Sequence, residues 1–182
     1  PLLRGFLLNR LTQQNASPAT IVAYRDTFRL LLRFTEKHLH RSAAALTTND
    51  FGAPLILAFL DHLERDRGNS IRTRNARLAA IRSFVSHAGR EEPAALAQFQ
   101  RVLAIPTKRC PRPMLGHLSR EEVRALLGAP NLDTWTGRRD HVLLATLYNT
   151  GARVSEAIGL DVGQIHLDRT PRVCLHGKGR KE

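Results

Sequence analysis

Apolar residues in the first hundred positions return at helical spacing. In NASPATIVAYRDTFRLLLRFTEKHL, residues 15–39, Ile21, Tyr24, Phe28, Leu31 and Leu32 fall on one stripe. Ser17 can cap that helix and Pro18 fits its first turn. A second helix is expected from Pro54 to Arg67, with Ile56, Leu57, Phe59, Leu60 and Leu63 inward and Gly68 as its stop. A third begins after Asn69, where Ser70 can cap IRTRNARLAAIRSFVSHAG, and runs to Gly89, and a shorter one covers Ala94 to Leu103. The period then fails: IPTKRCPRPMLGHL packs three prolines and three basic residues together and reads as a linker. Beyond it, Ser119 and Glu122 make a capping box ahead of Val123, Leu126 and Leu127. A helix from Arg138 to Tyr148 follows, apolar through Val142, Leu143, Leu144 and Leu147. In PRVCLHGKGRKE the register changes. Val173 and Leu175 alternate with other residues up to a Gly-Lys-Gly turn, as in a strand entering a β-hairpin whose second strand is missing.

This pattern predicts a mainly α chain of 182 residues, with the start of a β-hairpin at its end. The expected division is a helical domain over residues 1–105, a linker over 106–116 and a second domain over 117–182. No apolar run approaches the ~20 residues that span a bilayer, and no signal-peptide pattern opens the chain, so a soluble intracellular protein is expected. Pro1 in place of methionine, and Glu182 inside a basic run, read as cut or processed ends.

Charge sharpens the picture. The chain holds 28 Lys+Arg against 16 Asp+Glu, a net +12, and nearly all the cations are arginine. Residues 1–105 carry 15 basic and 8 acidic groups, residues 106–118 carry 3 and none, and residues 119–182 carry 10 and 8. The excess therefore sits in the first domain and the linker. Arginine's planar fork suits phosphate, so a polyanionic partner is expected ahead of a merely basic surface. Cys110 and Cys174 stand at no metal-ligand spacing with the eight histidines and read as reduced structural thiols.

Two surfaces could meet that partner. From Gly68 to Arg90 there is no acidic residue. Arg72, Asn75, Arg82, Ser83, Ser86 and Arg90 share one side of the third helix beside small alanines, a face suited to DNA phosphates or the major groove. Arg74 and Arg77 fall nearer its apolar side. The start of the Pro18 helix offers Thr20, Tyr24 and Arg25 beside free backbone N–H groups, although a tyrosine there is more often core. Lys108 and Arg109 add charge in the linker. Near the other end, TGARVSEAIGL places Arg153 and Glu156 on one face of a short helix, with Val154, Ala157, Ile158 and Leu160 free to point into a core. HGKGRK puts Lys178 at a turn tip between glycines. It lacks the spacer and the following Ser or Thr of a Walker loop.

Taken in order, the basic helical segment, the proline-bearing linker, LYNTGARVSEAIGLDVGQIHL and LHGKGRKE resemble the tyrosine recombinase (phage integrase) family across essentially the whole chain. The resemblance implies an N-terminal, SAM-like helical core-binding domain that grips one face of double-stranded DNA, followed by a truncated α+β catalytic domain. It aligns Arg153 with the first catalytic arginine, Glu156 with the supporting acidic residue and Lys178 with the lysine of the hairpin turn. It implies no metal and no cofactor, because a covalent 3′-phosphotyrosine stores the energy of the broken bond. By the same resemblance, the family's His-x-x-Arg element, the later His or Trp and the nucleophilic tyrosine should lie beyond Glu182, and neither Tyr24 nor Tyr148, both in expected helices upstream of Arg153, takes the nucleophile's place. The expectation is a fragment that binds DNA without cutting it. Relatives of this kind assemble on paired sites; this chain is expected to be a monomer in free solution and to be cytoplasmic, near the nucleoid. A non-catalytic DNA-binding remnant or competitor, and a basic helical protein-interaction domain, remain the alternatives.

Overall fold

The computed structural model describes residues 2–111 and 116–175, and its three longest helices begin where hydroxyl side chains cap them. The chain opens with α1 (Leu2–Gly5), a π-helical turn (Phe6–Arg10) and α2 (Leu11–Gln13). Asn15, at φ 54°, turns the chain towards α3 (Pro18–Leu39), where the Ser17 hydroxyl accepts from the Thr20 amide at 3.3 Å. Then come α4 (Ala53–Arg65), α5 (Ile71–Glu91) and, after a 3-10 turn at Pro93–Ala95, α6 (Leu96–Leu103). Ser70 caps α5 through the Thr73 amide at 3.2 Å, the same Ser-x-x-Thr device as in α3.

Helix α5 packs against α3, α4 and α6, and the core forms around it. Leu78, Ile81, Val85 and Ala88 of α5 meet Phe28 and Leu31 of α3, Ile56, Phe59, Leu60 and Leu63 of α4, and Phe99 and Val102 of α6. Phe6 enters from the π-helical turn and stands edge-on to Phe28 and Phe84, at 6.2 and 5.5 Å between ring centres. Phe28 and Phe84 close the triangle at 5.2 Å. Such edge-to-face pairs add ~0.5–1.5 kcal/mol each beyond their burial. On α4 one residue expected inward falls outside: Leu57 is 44% exposed, whereas Leu55 is buried. Leu55, Ile56, Phe59, Leu60 and Leu63 make the inward stripe, and at 100° per residue Leu57 lies on the opposite flank.

The structure divides into two units, Pro1–Arg112 and Pro113–Glu182. The second contains α7 (Arg120–Gly128), α8 (Trp135–Thr150) and α9 (Val154–Ala157). The box ahead of α7 forms as expected, with the Ser119 amide donating to Glu122 Oε2 at 2.7 Å and the Glu122 amide to Ser119 Oγ at 3.2 Å. Helix α8 starts earlier than its apolar period suggested, because the Thr134 hydroxyl accepts from the Gly137 amide at 3.0 Å. A Cβ at position 137 would overlap the Asn131 carbonyl, so glycine is required there. His141 Nδ1 lies 2.8 Å from the Leu127 carbonyl and ties α8 to α7.

A short antiparallel sheet completes the described residues: β1 (Ile165–His166) pairs with β2 (Arg172–Val173), Ile165 opposite Val173. The strand expected near Val173 is present, and its partner lies upstream. The Gly-Lys-Gly turn, with Lys178, lies outside the described residues. Of the apolar positions expected inward near Arg153, Ala157 is buried, while Val154 and Ile158 are 60% and 69% exposed. A single helical turn turns one narrow face inward, and Ala157 occupies it. The fold is mainly α with this small sheet, and no described helix is long and apolar enough to cross a membrane.

Asp50 staples the loop before α4. The Thr47 backbone N–H, at 2.7 Å, together with the Thr47 hydroxyl and Arg41, holds its carboxyl below the usual carboxylate range against the opposing push of desolvation. A depressed folded-state pKa contributes stability above the unfolded value that disappears as pH falls through the folded value. Chemical denaturation of wild type and Asp50→Asn at pH 7 and at stepped pH below about 4 should therefore show a wild-type advantage that shrinks on acidification. A gap independent of pH would mean that the carboxylate charge contributes nothing.

Candidate functional site

The cations of the first unit separate into those held by protein partners and those turned to water. Arg25 on α3 and Arg72 on α5 are exposed, as is Arg109 after the last helix of the unit. Thr20 is half-buried, its hydroxyl 2.9 Å from that of Ser17. Tyr24 is half-buried and stacked on Phe6 at 6.2 Å, so its ring serves the core as well as the surface.

Arg74 behaves otherwise. It is 4% exposed, its Nε lies 3.4 Å from Glu64 Oε1, and its Nη1 donates to Asn75 Oδ1 at 3.1 Å and to the Pro106 carbonyl at 3.2 Å. The Nε proton has an ion-pair partner there but no hydrogen bond of good geometry. Arg82, placed by the helical wheel on the solvent face, is half-buried and donates from Nη2 to the Ile105 carbonyl. Lys108 donates to both oxygens of Glu64, at 2.8 and 3.0 Å. The face read from the sequence thus splits: Arg72, Ser86 and Arg90 are exposed, while Asn75 and Arg82, together with Arg74 from the apolar side, hold the chain that follows α6.

Arg77 lies between these groups, half-buried, its Nε without a hydrogen-bond partner. Burial first, and then the neighbouring Arg67 guanidinium, lowers its pKa from the usual arginine value, with Asp26 opposing. It stays charged at neutral pH and carries positive potential beside a second cation.

In the second unit, Gly151 ends α8 in the left-handed region at φ 65°, which a residue with a Cβ adopts only under strain. The chain then turns so that Arg153 becomes the N-cap of α9. Arginine cannot accept the capping bond, so Glu156 caps in reverse: its Oε2 accepts from the Arg153 amide at 2.9 Å and its Oε1 accepts from Arg153 Nη1 at 2.5 Å. The Glu156 side chain is 14% exposed and that of Arg153 68%. The result is a guanidinium held at its root and along one edge, with the rest facing solvent. Such a group can donate two parallel bonds to an oxyanion.

Sequence reasoning did not find Glu64 or the anchoring role of Asn75. Glu64 stands 44 positions from Lys108 and Asn75 stands 33, and no local period links them. Among the described residues no group of three His, Cys, Asp or Glu is placed to hold a metal, and both cysteines are free.

Residues 4–92 match the family model described as "Phage integrase, N-terminal SAM-like domain". Over 183 residues the chain is 50% identical to y4rC of Sinorhizobium fredii, named integrase/recombinase, covering all of this chain and 55% of that protein. It is equally similar to y4rD of the same organism, also named integrase/recombinase, covering 66% of it. Identity to the tyrosine recombinase XerD of Pseudomonas putida is 32% over 184 residues, 57% of that protein. The chain therefore spans between about half and two thirds of the length of these relatives.

Glu64 is the counter-ion of a buried guanidinium, whereas Lys108 is half exposed. Glu64→Gln should destabilise the first unit by about 3 kcal/mol, because it strands the Arg74 charge, and Lys108→Ala by less than about 1 kcal/mol. Urea denaturation of both variants measures this; equal losses would show that Arg74 does not depend on Glu64.

Proposed function

Because the chain belongs to the tyrosine recombinase (phage integrase) family, we propose that it forms the DNA-gripping front of a site-specific recombinase and presents the first catalytic arginine to the scissile phosphate. Double-stranded DNA is the partner. The exposed cations of the first unit, Arg25, Arg72 and Arg109, take phosphates, joined by Arg77 and by the polar start of α3 at Thr20 and Tyr24. Arg74 and Arg82 serve from beneath by holding the surface in shape. Lys108, half exposed, offers a phosphate the third N–H of its ammonium while the other two hold Glu64.

One observation carries the reading: Arg153 is fixed at backbone and side chain by Glu156 and still has most of its guanidinium open to solvent. Attack on a phosphodiester builds negative charge on the non-bridging oxygens, and a guanidinium fixed in advance stabilises that charge without reorganising. Glu156 positions it. Lys178, by its place in the family motif, protonates the departing 5′-oxygen. An ordinary lysine near pKa ~10.4 does this at neutral pH only where its surroundings favour proton release. The nucleophile is neither Tyr24, stacked on Phe6, nor Tyr148, which precedes Arg153 on α8. Strand exchange by the whole protein passes through a 3′-phosphotyrosine and acts in DNA recombination and integration, in the cytoplasm near the nucleoid. This chain is monomeric in free solution, and multimers form on paired DNA sites.

Two measurements test this. Duplex affinity of the chain should fall about a thousandfold or more between 50 and 200 mM salt, as for a protein neutralising six or more phosphates. Arg25→Ala and Arg72→Ala should each reduce the slope of log affinity against log salt by about 1; unchanged slopes would remove both residues from the interface. Incubated with a nicked suicide substrate, the chain should bind and form no covalent protein–DNA adduct. An adduct lost in Tyr148→Phe would assign the nucleophile to Tyr148 and overturn that part of the reading.

A further inference from the structure

Helix α6 ends at Leu103, and residues 104 to 111 have no place in any helix or sheet. Pro106 has no N–H to donate and its ring prevents helical continuation. The chain nevertheless stays on α5 as far as Lys108. The Ile105 side chain is buried, its carbonyl accepts from Arg82, and the Pro106 carbonyl accepts from Arg74. Asn75 then treats Lys108 as a neighbouring strand would: its Nδ2 donates to the Lys108 carbonyl at 2.7 Å, and its Oδ1 accepts from the Lys108 amide at 3.1 Å. Only a primary amide offers a donor and an acceptor side by side for one residue's backbone. Arg74 Nη1 donates to the same Oδ1, so the orientation of the amide is dictated from beneath. Glu64 completes the hold through the Lys108 ammonium.

The geometry points to a latch: Asn75, supported by Arg74 and Arg82, fixes the point where the chain leaves the first unit at Lys108, and so sets the reach of the segment towards Ser119. A chain extends at most ~3.3–3.6 Å per residue, so freeing residues 106 to 108 adds up to about 10 Å of reach. Tether length sets the effective concentration of one binding part beside another. The latch therefore tunes how two DNA-contacting parts act together, a consequence that rests on the function proposed above. It also gives Asn75 and Arg82, which lie on the polar face of α5, a task other than touching DNA.

The test uses the full chain without DNA, so that failure of duplex binding and failure of the latch are distinguishable. In wild type, amide hydrogen exchange at Lys108 should be at least tenfold slower than at Arg109. Asn75→Ala should remove that protection and leave the core amides of α5 and α6 unchanged. Asn75→Asp keeps an acceptor, loses the donor and sets a carboxylate against the Lys108 carbonyl, so it should also lose protection. Spin labels at Gln100→Cys and Arg124→Cys, with Cys110 and Cys174 replaced by serine, should give a distance distribution that broadens and extends by up to about 10 Å in Asn75→Ala. Equal exchange at Lys108 and Arg109 in wild type would overturn the latch. Lost protection with an unchanged distance distribution would overturn its control of reach.

Discussion

A guanidinium buried beneath the surface of α5 is the constraint on which much of the first unit depends. Arg74 is too enclosed for water to solvate its charge, so the protein must. That requirement fixes Glu64 on α4, orients the Asn75 amide and draws the Pro106 carbonyl inward. Helix pairing, side-chain orientation and the path of the chain after α6 thus answer to one desolvated ion. A hydrophobic residue could fill the space, but it could not direct three polar partners at once.

The two units use arginine in opposite ways. In the first, buried Arg74 and half-buried Arg82 act on the protein's own carbonyls, while Arg25 and Arg72 face solvent. In the second, Arg153 combines both conditions, anchored by a carboxylate yet open over most of its surface. Anchoring removes rotamer entropy before a ligand arrives, and exposure leaves the donors available. Composition treats all these arginines as equal members of a basic surplus. Burial and partners separate them.

Much of this was legible in the sequence where the signal is local. Ser17, Ser70 and the Ser119–Glu122 box mark helix starts because capping depends on residues three apart. The pairing of Arg153 with Glu156 could be read from its spacing for the same reason. Leu57 misled because a run of consecutive apolar residues hides which flank faces in. The strand at Ile165–His166 is too short to establish a period. Arg82 and Asn75 were legible as polar and on one face, but their partners arrive from 23 and 33 positions away, beyond any periodic argument.

The placement of Phe6 carries a consequence for how the chain tolerates change at its front. Its ring forms one corner of an aromatic triangle whose other corners, Phe28 and Phe84, belong to α3 and α5. The opening helical residues, set apart from α3 by the left-handed turn at Asn15, are therefore a plug in the core and not an appendage. Cutting the chain back to Ser17 would leave two phenylalanine edges facing water on the helices that carry Arg25 and Arg72. Sequence drift ahead of Asn15 is consequently restrained by volume at position 6, while exposed neighbours such as Leu8 can vary with little penalty.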